Sequence, residues 1–120
     1  ILKLADILTI HIPLNKDTID LIKDEQLSIL PKGAILINTS RSLIVNEKSL
    51  INYLKNGQLK GAALDVINNE HSLTKKNNDL INYAKKYNNL LITPHIGGAT
   101  FEAIEKTDEY VFNVYRKKFL

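Results

Sequence analysis

Four short apolar runs alternate with helical segments along the chain, and this order restricts the fold more than any other feature. The runs are rich in β-branched residues and occupy positions 5–12, 34–38, 62–67 and 90–93. Strands that are apolar throughout are typical of a parallel sheet whose two faces are both covered by helices. The pattern therefore predicts an α/β fold with a doubly wound parallel sheet.

The segments between these runs have the residue spacing and end signals of helices. They occupy positions 24–30, 46–55, 78–87 and 100–120, and Asn46 and Thr100 are the kind of residue that caps a helix N-terminus. The apolar residues of the last helix predict one buried stripe, formed by Ile104, Val111, Val114 and Tyr115.

Composition excludes several classes of function. The 120 residues include no cysteine, which excludes disulfides, thiolate nucleophiles and cysteine-bound zinc. No apolar run approaches the roughly 20 residues of a membrane span. The net charge of +3 comes from lysines spread along the chain, without tryptophan or interleaved aromatic residues, so we expect no nucleic-acid partner. The three histidines lack metal-ligand spacing, and we predict no metal site.

Polar residues lie at the carboxyl end of each of the four predicted strands. They are His11, the segment 39–41, the segment 65–70 and the segment 95–98. The carboxyl ends of parallel strands meet at one edge of the sheet, where ligands bind in folds of this class. The sequence therefore predicts a ligand site at this edge.

Arg41 and Asp65 each have two interpretations. The Arg41 guanidinium suits a carboxylate or phosphate ligand, or it pairs with an acid that ties down its loop. Asp65 interrupts an apolar run, and a carboxylate in that position needs hydrogen-bond partners. Those partners are either a nearby loop of the chain or an amide of a ligand.

Glu70 and His95 acquire interest as a pair. His95 lies between a proline and Gly97–Gly98, either as an acid/base at an open rim or as a cap for the following helix. Glu70 is either solvated or bonded to His95, where a carboxylate would favour the protonated ring and fix its tautomer. We expect His71, in a polar loop, to be exposed and without a role.

Four stretches of the chain resemble the D-isomer-specific 2-hydroxyacid dehydrogenases, the group that includes D-lactate, D-3-phosphoglycerate and hydroxypyruvate dehydrogenases. The stretches have the order and spacing of that family. They are 5–14 (ADILTIHIPL), 30–41 (LPKGAILINTSR), 57–66 (GQLKGAALDV) and 91–100 (LITPHIGGAT).

This resemblance implies part of a Rossmann-type NAD-binding domain. Residues 1–99 would be its carboxy-terminal half, and residues 100–120 a helix that returns toward a substrate domain. The implied reaction is hydride transfer between NAD, with NADP not excluded, and a small D-2-hydroxy acid or 2-oxo acid. The chain lacks a G-x-G-x-x-G motif, so we expect it to be part of a longer protein and inactive alone. A cytoplasmic homodimer is also implied.

The resemblance implies roles for individual residues as well. Arg41 would bind the substrate carboxylate, His95 would be the acid/base, Glu70 would support His95, and Asp65 would contact the nicotinamide amide. The residues expected to line the cofactor are Ile12, Thr18, Thr39, Ser40, Arg41, Asp65, His95, Gly97 and Gly98.

A non-catalytic nucleotide-binding or dimerisation module on the same scaffold is the main alternative hypothesis. An unrelated α/β ligand-binding protein is a third. The presence of Arg41, Glu70 and His95 together favours the enzyme, because a purely structural module does not need all three.

Overall fold

The computed structural model describes residues 1–70 and 78–119, and it contains one parallel sheet. The four strands lie side by side in chain order and pair in parallel, as the sequence predicts for an α/β fold. They are β1 (Ile7–Ile10), β2 (Ala34–Asn38), β3 (Leu59–Leu64) and β4 (Leu90–Ile92).

Four α-helices and two short 3-10 helices connect or follow these strands. The α-helices are α1 (Asp24–Ile29), α2 (Glu47–Lys55), α3 (Asp79–Lys86) and α4 (Phe101–Phe119), and the 3-10 helices are Leu2–Leu4 and Ser42–Ile44. Both predicted N-caps are confirmed. The Asn46 side chain accepts a hydrogen bond from Ser49 N at 3.0 Å, and Thr100 Oγ1 accepts one from Ala103 N at 3.2 Å.

The predicted bounds of three strands are wrong, and β4 differs least, since it ends at Ile92 rather than at residue 93. β1 spans only 7–10 of the apolar run 5–12, and β3 begins at Leu59 and ends at Leu64 rather than spanning 62–67. The earlier start of β3 has a local cause. Gly57 turns the chain with a φ of +75°, and Leu59 pairs at once with Ala34. Asp65 therefore lies just beyond the strand instead of inside it.

One face of the sheet carries the core. Each strand lies next to its predecessor, and right-handed crossovers then put α1, α2 and α3 on the same side. Leu36 and Leu64 of the sheet pack there with apolar residues of the helices. The fully buried core residues of the α-helices are Leu27, Leu50 and Leu80.

The opposite face of the sheet is open in the part of the chain that the structure describes. Ile37, Ala63 and Leu91 share this face, since they are paired in register across β2, β3 and β4. Leu91 is 63% exposed, and Ile7, at the β1 end of the same face, is 59% exposed. Within the described residues the helices cover one face only, because the sequential strand order sends every crossover to that side.

The predicted buried stripe of the last helix is also wrong for the described residues. α4 has no buried residue, and Val111 is 58% exposed. The periodic pattern correctly indicates an amphipathic helix, but it carries no information on whether a partner surface is present. No helix among residues 1–70 and 78–119 is long and apolar enough to cross a membrane.

Candidate active site

The predicted polar residues follow the carboxyl ends of the four strands. β2 ends at Asn38, β3 at Leu64 and β4 at Ile92, all at one edge of the sheet. Neighbouring strands are about 4.8 Å apart, so the chain segments that leave β2 and β4 are separated by about 10 Å. Arg41 follows the first of these segments and His95 the second, and each lines a cavity of its own at this edge of the sheet.

Asn38 shapes the loop that carries Arg41, and the sequence analysis gave it no role. Its side chain is 1% exposed; Nδ2 donates to Arg41 O at 2.9 Å, and Oδ1 accepts from Ser40 N at 3.0 Å. An asparagine that bonds to the backbone two residues later forms an Asx turn. The signal for this turn was present in the sequence, as an asparagine at the end of a buried strand and before Thr-Ser.

Arg41 is exposed at the mouth of a cavity of about 390 Å³. Its Nη1 donates to Ser40 O at 2.7 Å, and the Ser40 hydroxyl donates to Ile12 O. Within the described residues, this backbone carbonyl rather than an acid is the partner of the guanidinium. A guanidinium has five N–H donors, so most of them remain for a ligand. The cavity is lined by His11, Ile12, Pro13, Leu14, Ser40 and Arg41.

Thr18 and Thr39, both predicted to line the cofactor, differ in whether the hydroxyl is bound within the described part of the chain. Thr18 Oγ1 donates to Pro13 O at 2.9 Å and accepts from Asn15 N at 2.8 Å, so its hydroxyl holds the loop after β1 in place. Thr39 is exposed immediately beyond β2. Thr18 therefore shapes this wall of the cavity through the backbone, whereas Thr39 presents its side chain at the edge of the sheet.

His95 and Glu70 form a direct pair. His95 Nδ1 is 2.6 Å from Glu70 Oε1, and the side chains are 40% and 21% exposed. The bond occupies Nδ1, so Nε2 is the ring nitrogen available to a substrate. Thr100 caps α4, which excludes the alternative of His95 as the cap. The contact predicted between Glu70 and His95 is present.

The backbone at this pair is strained. His95 has a φ of +56° and Asn69, which precedes Glu70, has a φ of +57°. This left-handed conformation costs His95 about 1–2 kcal/mol, whereas asparagine adopts it more readily. Such strain is concentrated at functional sites, where the surrounding structure holds it. Here it turns both segments so that the imidazole and the carboxylate meet.

Asp65 joins the end of β3 to the turn after His95. Its Oδ1 accepts from Thr93 Oγ1 at 2.5 Å and from Ile96 N at 3.1 Å, and its Oδ2 accepts from Gly97 N at 2.8 Å. A Cβ on residue 97 would lie 2.9 Å from Oδ2, so this close approach requires glycine. The expected hydrogen bonding of Asp65 is confirmed, with a nearby loop as the partner.

Burial favours a higher pKa for Asp65, but the opposing interactions are stronger. The hydrogen bonds from Thr93, Gly97 and Ile96, together with nearby His95, hold the pKa below its ordinary value of 3.8. The carboxylate is therefore ionised at neutral pH. Its charge stabilises the turn that carries His95.

Asp65→Asn is expected to destabilise the protein by about 1–3 kcal/mol at pH 7, because an amide nitrogen cannot accept from the backbone N–H groups it would face. A depressed pKa contributes stability that is present above the unfolded-state value and is lost as the pH falls through the folded-state value. The difference between wild type and variant should therefore shrink as the pH falls below 3.8. Urea unfolding at several pH values measures it.

Asp108→Asn, at an exposed position on α4, is the control for the Asp65 variant and should change stability little. A stability difference for Asp65→Asn that is negligible at pH 7, or that grows in acid, would contradict the role given to this carboxylate.

No group of three or more His, Asp or Glu side chains in the described part of the chain could hold a metal ion. His71 lies outside the described residues, so its predicted exposure remains a prediction.

Residues 1–97 match the family model described as "D-isomer specific 2-hydroxyacid dehydrogenase, NAD binding domain". The chain belongs to this family. The resemblance carried by the four sequence stretches is thereby confirmed. A putative 2-hydroxyacid dehydrogenase of Haemophilus influenzae is 44% identical over 98% of this chain. The chain spans 39% of that relative's length.

Solved structures of the 2-hydroxyacid dehydrogenase family have the same fold. The NAD-complexed D-isomer specific 2-hydroxyacid dehydrogenase of Lactobacillus delbrueckii ssp. bulgaricus matches with a TM-score of 0.80 and 31% identity, over 93% of this chain and 38% of that chain. The D-lactate dehydrogenase of Aquifex aeolicus, complexed with NAD and lactic acid, matches with a TM-score of 0.79 and 30% identity, over 96% and 37% of the two chains. This chain therefore has the fold of the corresponding part of a Rossmann-type domain.

Proposed function

We propose that this chain carries the proton-transfer and carboxylate-binding residues of an NAD-dependent dehydrogenase that interconverts a small D-2-hydroxy acid and its 2-oxo acid. The observation that carries the proposal is the bond of 2.6 Å between His95 Nδ1 and Glu70 Oε1, at the edge of the sheet that also bears Arg41. A non-catalytic binding or dimerisation module has no use for a strained carboxylate–imidazole pair at an open rim. This pair favours the enzyme over that alternative.

The residues at this edge fit the nicotinamide end of the cofactor. Ile12 and Pro13 give the 390 Å³ cavity an apolar wall, and Gly98 allows close approach of a flat ring. A carboxylate has about four acceptor positions, and described donors take three of those of Asp65, which leaves about one for the carboxamide. A nicotinamide held there would supply or accept the hydride. The site residues do not discriminate NAD from NADP.

The roles of the three side chains follow from their chemistry. Arg41 binds the substrate carboxylate through its planar fork and so orients the adjacent carbonyl. His95 Nε2 donates a proton to the carbonyl oxygen during reduction and takes the hydroxyl proton during oxidation. Glu70 accepts a hydrogen bond from Nδ1–H, which fixes the tautomer and stabilises the imidazolium. A positioned acid/base of this kind contributes about 10²- to 10⁴-fold to the rate.

The proposal extends to the organisation of the whole protein. Residues 1–99 form the carboxy-terminal half of the NAD-binding domain, and residues 100–120 lead to a substrate domain. The exposed apolar side of α4 and the 39% coverage of the Haemophilus relative support this division. The resemblance further supports a cytoplasmic homodimer that acts on a small-molecule acid.

The test begins with the protein as its source cell makes it. We expect an intact mass two to three times the 13.6 kDa of this chain, as a cofactor domain plus a substrate domain require. We also expect oxidation of NADH with at least one member of a panel of two- to four-carbon 2-oxo acids. The 120-residue chain alone should not oxidise NADH with any of these acids.

Two results would overturn the proposal. One is NADH binding without turnover of any 2-oxo acid in the panel, which would indicate the non-catalytic module. The other is turnover by the 120-residue chain alone, which would overturn the proposed domain organisation while leaving the proposed reaction in place.

A further inference from the structure

A glutamate outside the proposed catalytic trio connects the two halves of the site. Glu47 is half-buried at the first position of α2, and its Oε1 accepts a hydrogen bond from Asn68 N at 2.6 Å. Glu47 lies six residues after Arg41, and Asn68 lies two residues before Glu70. One hydrogen bond therefore joins the segment that carries the arginine to the loop that carries the carboxylate partner of His95.

The peptide at Asn68 is held from a second side. Asn78 Nδ2 donates to Asn68 O at 3.2 Å, while Asn78 Oδ1 accepts from Ile81 N at 3.1 Å and caps α3. The next residue, Asn69, is left-handed and directs the chain toward His95. Since Glu70 follows directly, the position of its carboxylate depends on how firmly Asn68 is anchored.

The position of the Glu47 carboxylate is electrostatically costly. Burial raises the pKa of Glu47, the hydrogen bond from Asn68 opposes this effect, and Asp79 at the start of α3 adds repulsion. An acidic side chain in the first turn stabilises a helix through the helix dipole, and it does not need to be buried for this. Glu25 on α1 is such a residue, since it lies in the first turn and is exposed. The cost indicates that the contact with Asn68 matters more than the acid's effect on its own helix.

We propose that Glu47 is a positioning residue that anchors Asn68 and thereby holds Glu70 against His95 Nδ1. The inference rests on the proposed function, because it concerns the orientation of the proposed acid/base. Loss of the anchor lets the loop shift, the bond between Glu70 and His95 lengthens, and Nε2 is presented less accurately to the substrate. A misplacement of about 1 Å at a reacting group can cost about 10²-fold in rate.

Three variants of the full-length protein test this role. Glu47→Ala removes the acceptor, and Glu47→Asp keeps the charge but withdraws the oxygen from Asn68 N, so both should lower kcat by about 10- to 100-fold. Glu47→Gln keeps an acceptor oxygen and should retain most of the wild-type kcat. The KM for NADH should change little in all three. Glu25→Ala, an exposed first-turn acid on α1, is the matched control and should keep wild-type kcat.

A double-mutant cycle with Glu70 separates positioning from general destabilisation. If Glu47 acts through Glu70, then Glu47→Ala should lower kcat no further in a Glu70→Gln background. Additive losses, or a Gln variant as impaired as the Ala variant, would overturn the inference. The Asp variant keeps a first-turn acid, so it tests the contact even if Glu47→Ala does not fold. A wild-type protein that turns over no 2-oxo acid would instead overturn the proposed function.

Discussion

Replacing His95 with asparagine is expected to lower kcat by about 10²- to 10⁴-fold, the usual worth of a positioned acid/base. Asparagine tolerates the left-handed backbone that His95 adopts at a φ of +56°, so the substitution removes the imidazole without adding strain. A carboxamide cannot carry the proton between substrate and solvent. NADH affinity should remain nearly unchanged, because the cavity at the ends of β1 and β2 is not altered.

Steady-state reduction of a 2-oxo acid gives kcat, and a fluorescence titration with NADH gives the affinity. His95→Gly provides the second arm, because glycine adopts this backbone without strain. It should abolish turnover as well, because it removes the imidazole without forcing the backbone. Variants that keep the wild-type rate and pH profile would show that His95 is not the acid/base.

The sequence predicted the architecture well where local patterns determine it. The run 34–38 became β2 with the predicted bounds, because it lies between a turn at Gly33 and the Asx turn at Asn38. The N-caps at Asn46 and Thr100 were also predictable, since a cap depends on the next three residues only. Features that depend on a distant surface were not predictable. The exposure of the apolar side of α4 and of one face of the sheet depends on such surfaces.

The same distinction applies to the site. Asp65 was found because it interrupts an apolar run, and Glu70 and His95 were found because each follows a predicted strand. Glu47 was missed because its partner lies 21 residues away, and in the sequence it resembles any acidic residue in a first helical turn. Asn38 was missed for a different reason. Its Asx-turn signature was visible, but the importance of the turn depends on the guanidinium that it positions.

Arg41→Ala is expected to lower kcat/KM for the 2-oxo acid by about 10²- to 10⁴-fold, which corresponds to two charge-assisted hydrogen bonds of about 1.5–3 kcal/mol each. Arg41→Lys keeps the charge but not the planar fork, so it should recover only part of the loss. In the Asx turn, Asn38 Nδ2 donates to the backbone carbonyl of residue 41, and Asn38 Oδ1 accepts from the backbone N–H of Ser40. Neither contact involves the side chain of residue 41. Both variants therefore keep the contacts that shape this loop.

Arg116 offers a matched control for these variants, since it is the other arginine of the chain and lies exposed on α4. Arg116→Ala should leave kcat/KM at the wild-type level. The decisive comparison uses a 2-oxo acid and the corresponding aldehyde, which lacks the carboxylate. Arg41→Ala should reduce discrimination between the two compounds, because the wild type gains its preference from the guanidinium. A variant that loses activity equally toward both would show that Arg41 maintains the loop or the cofactor site rather than binding the substrate carboxylate.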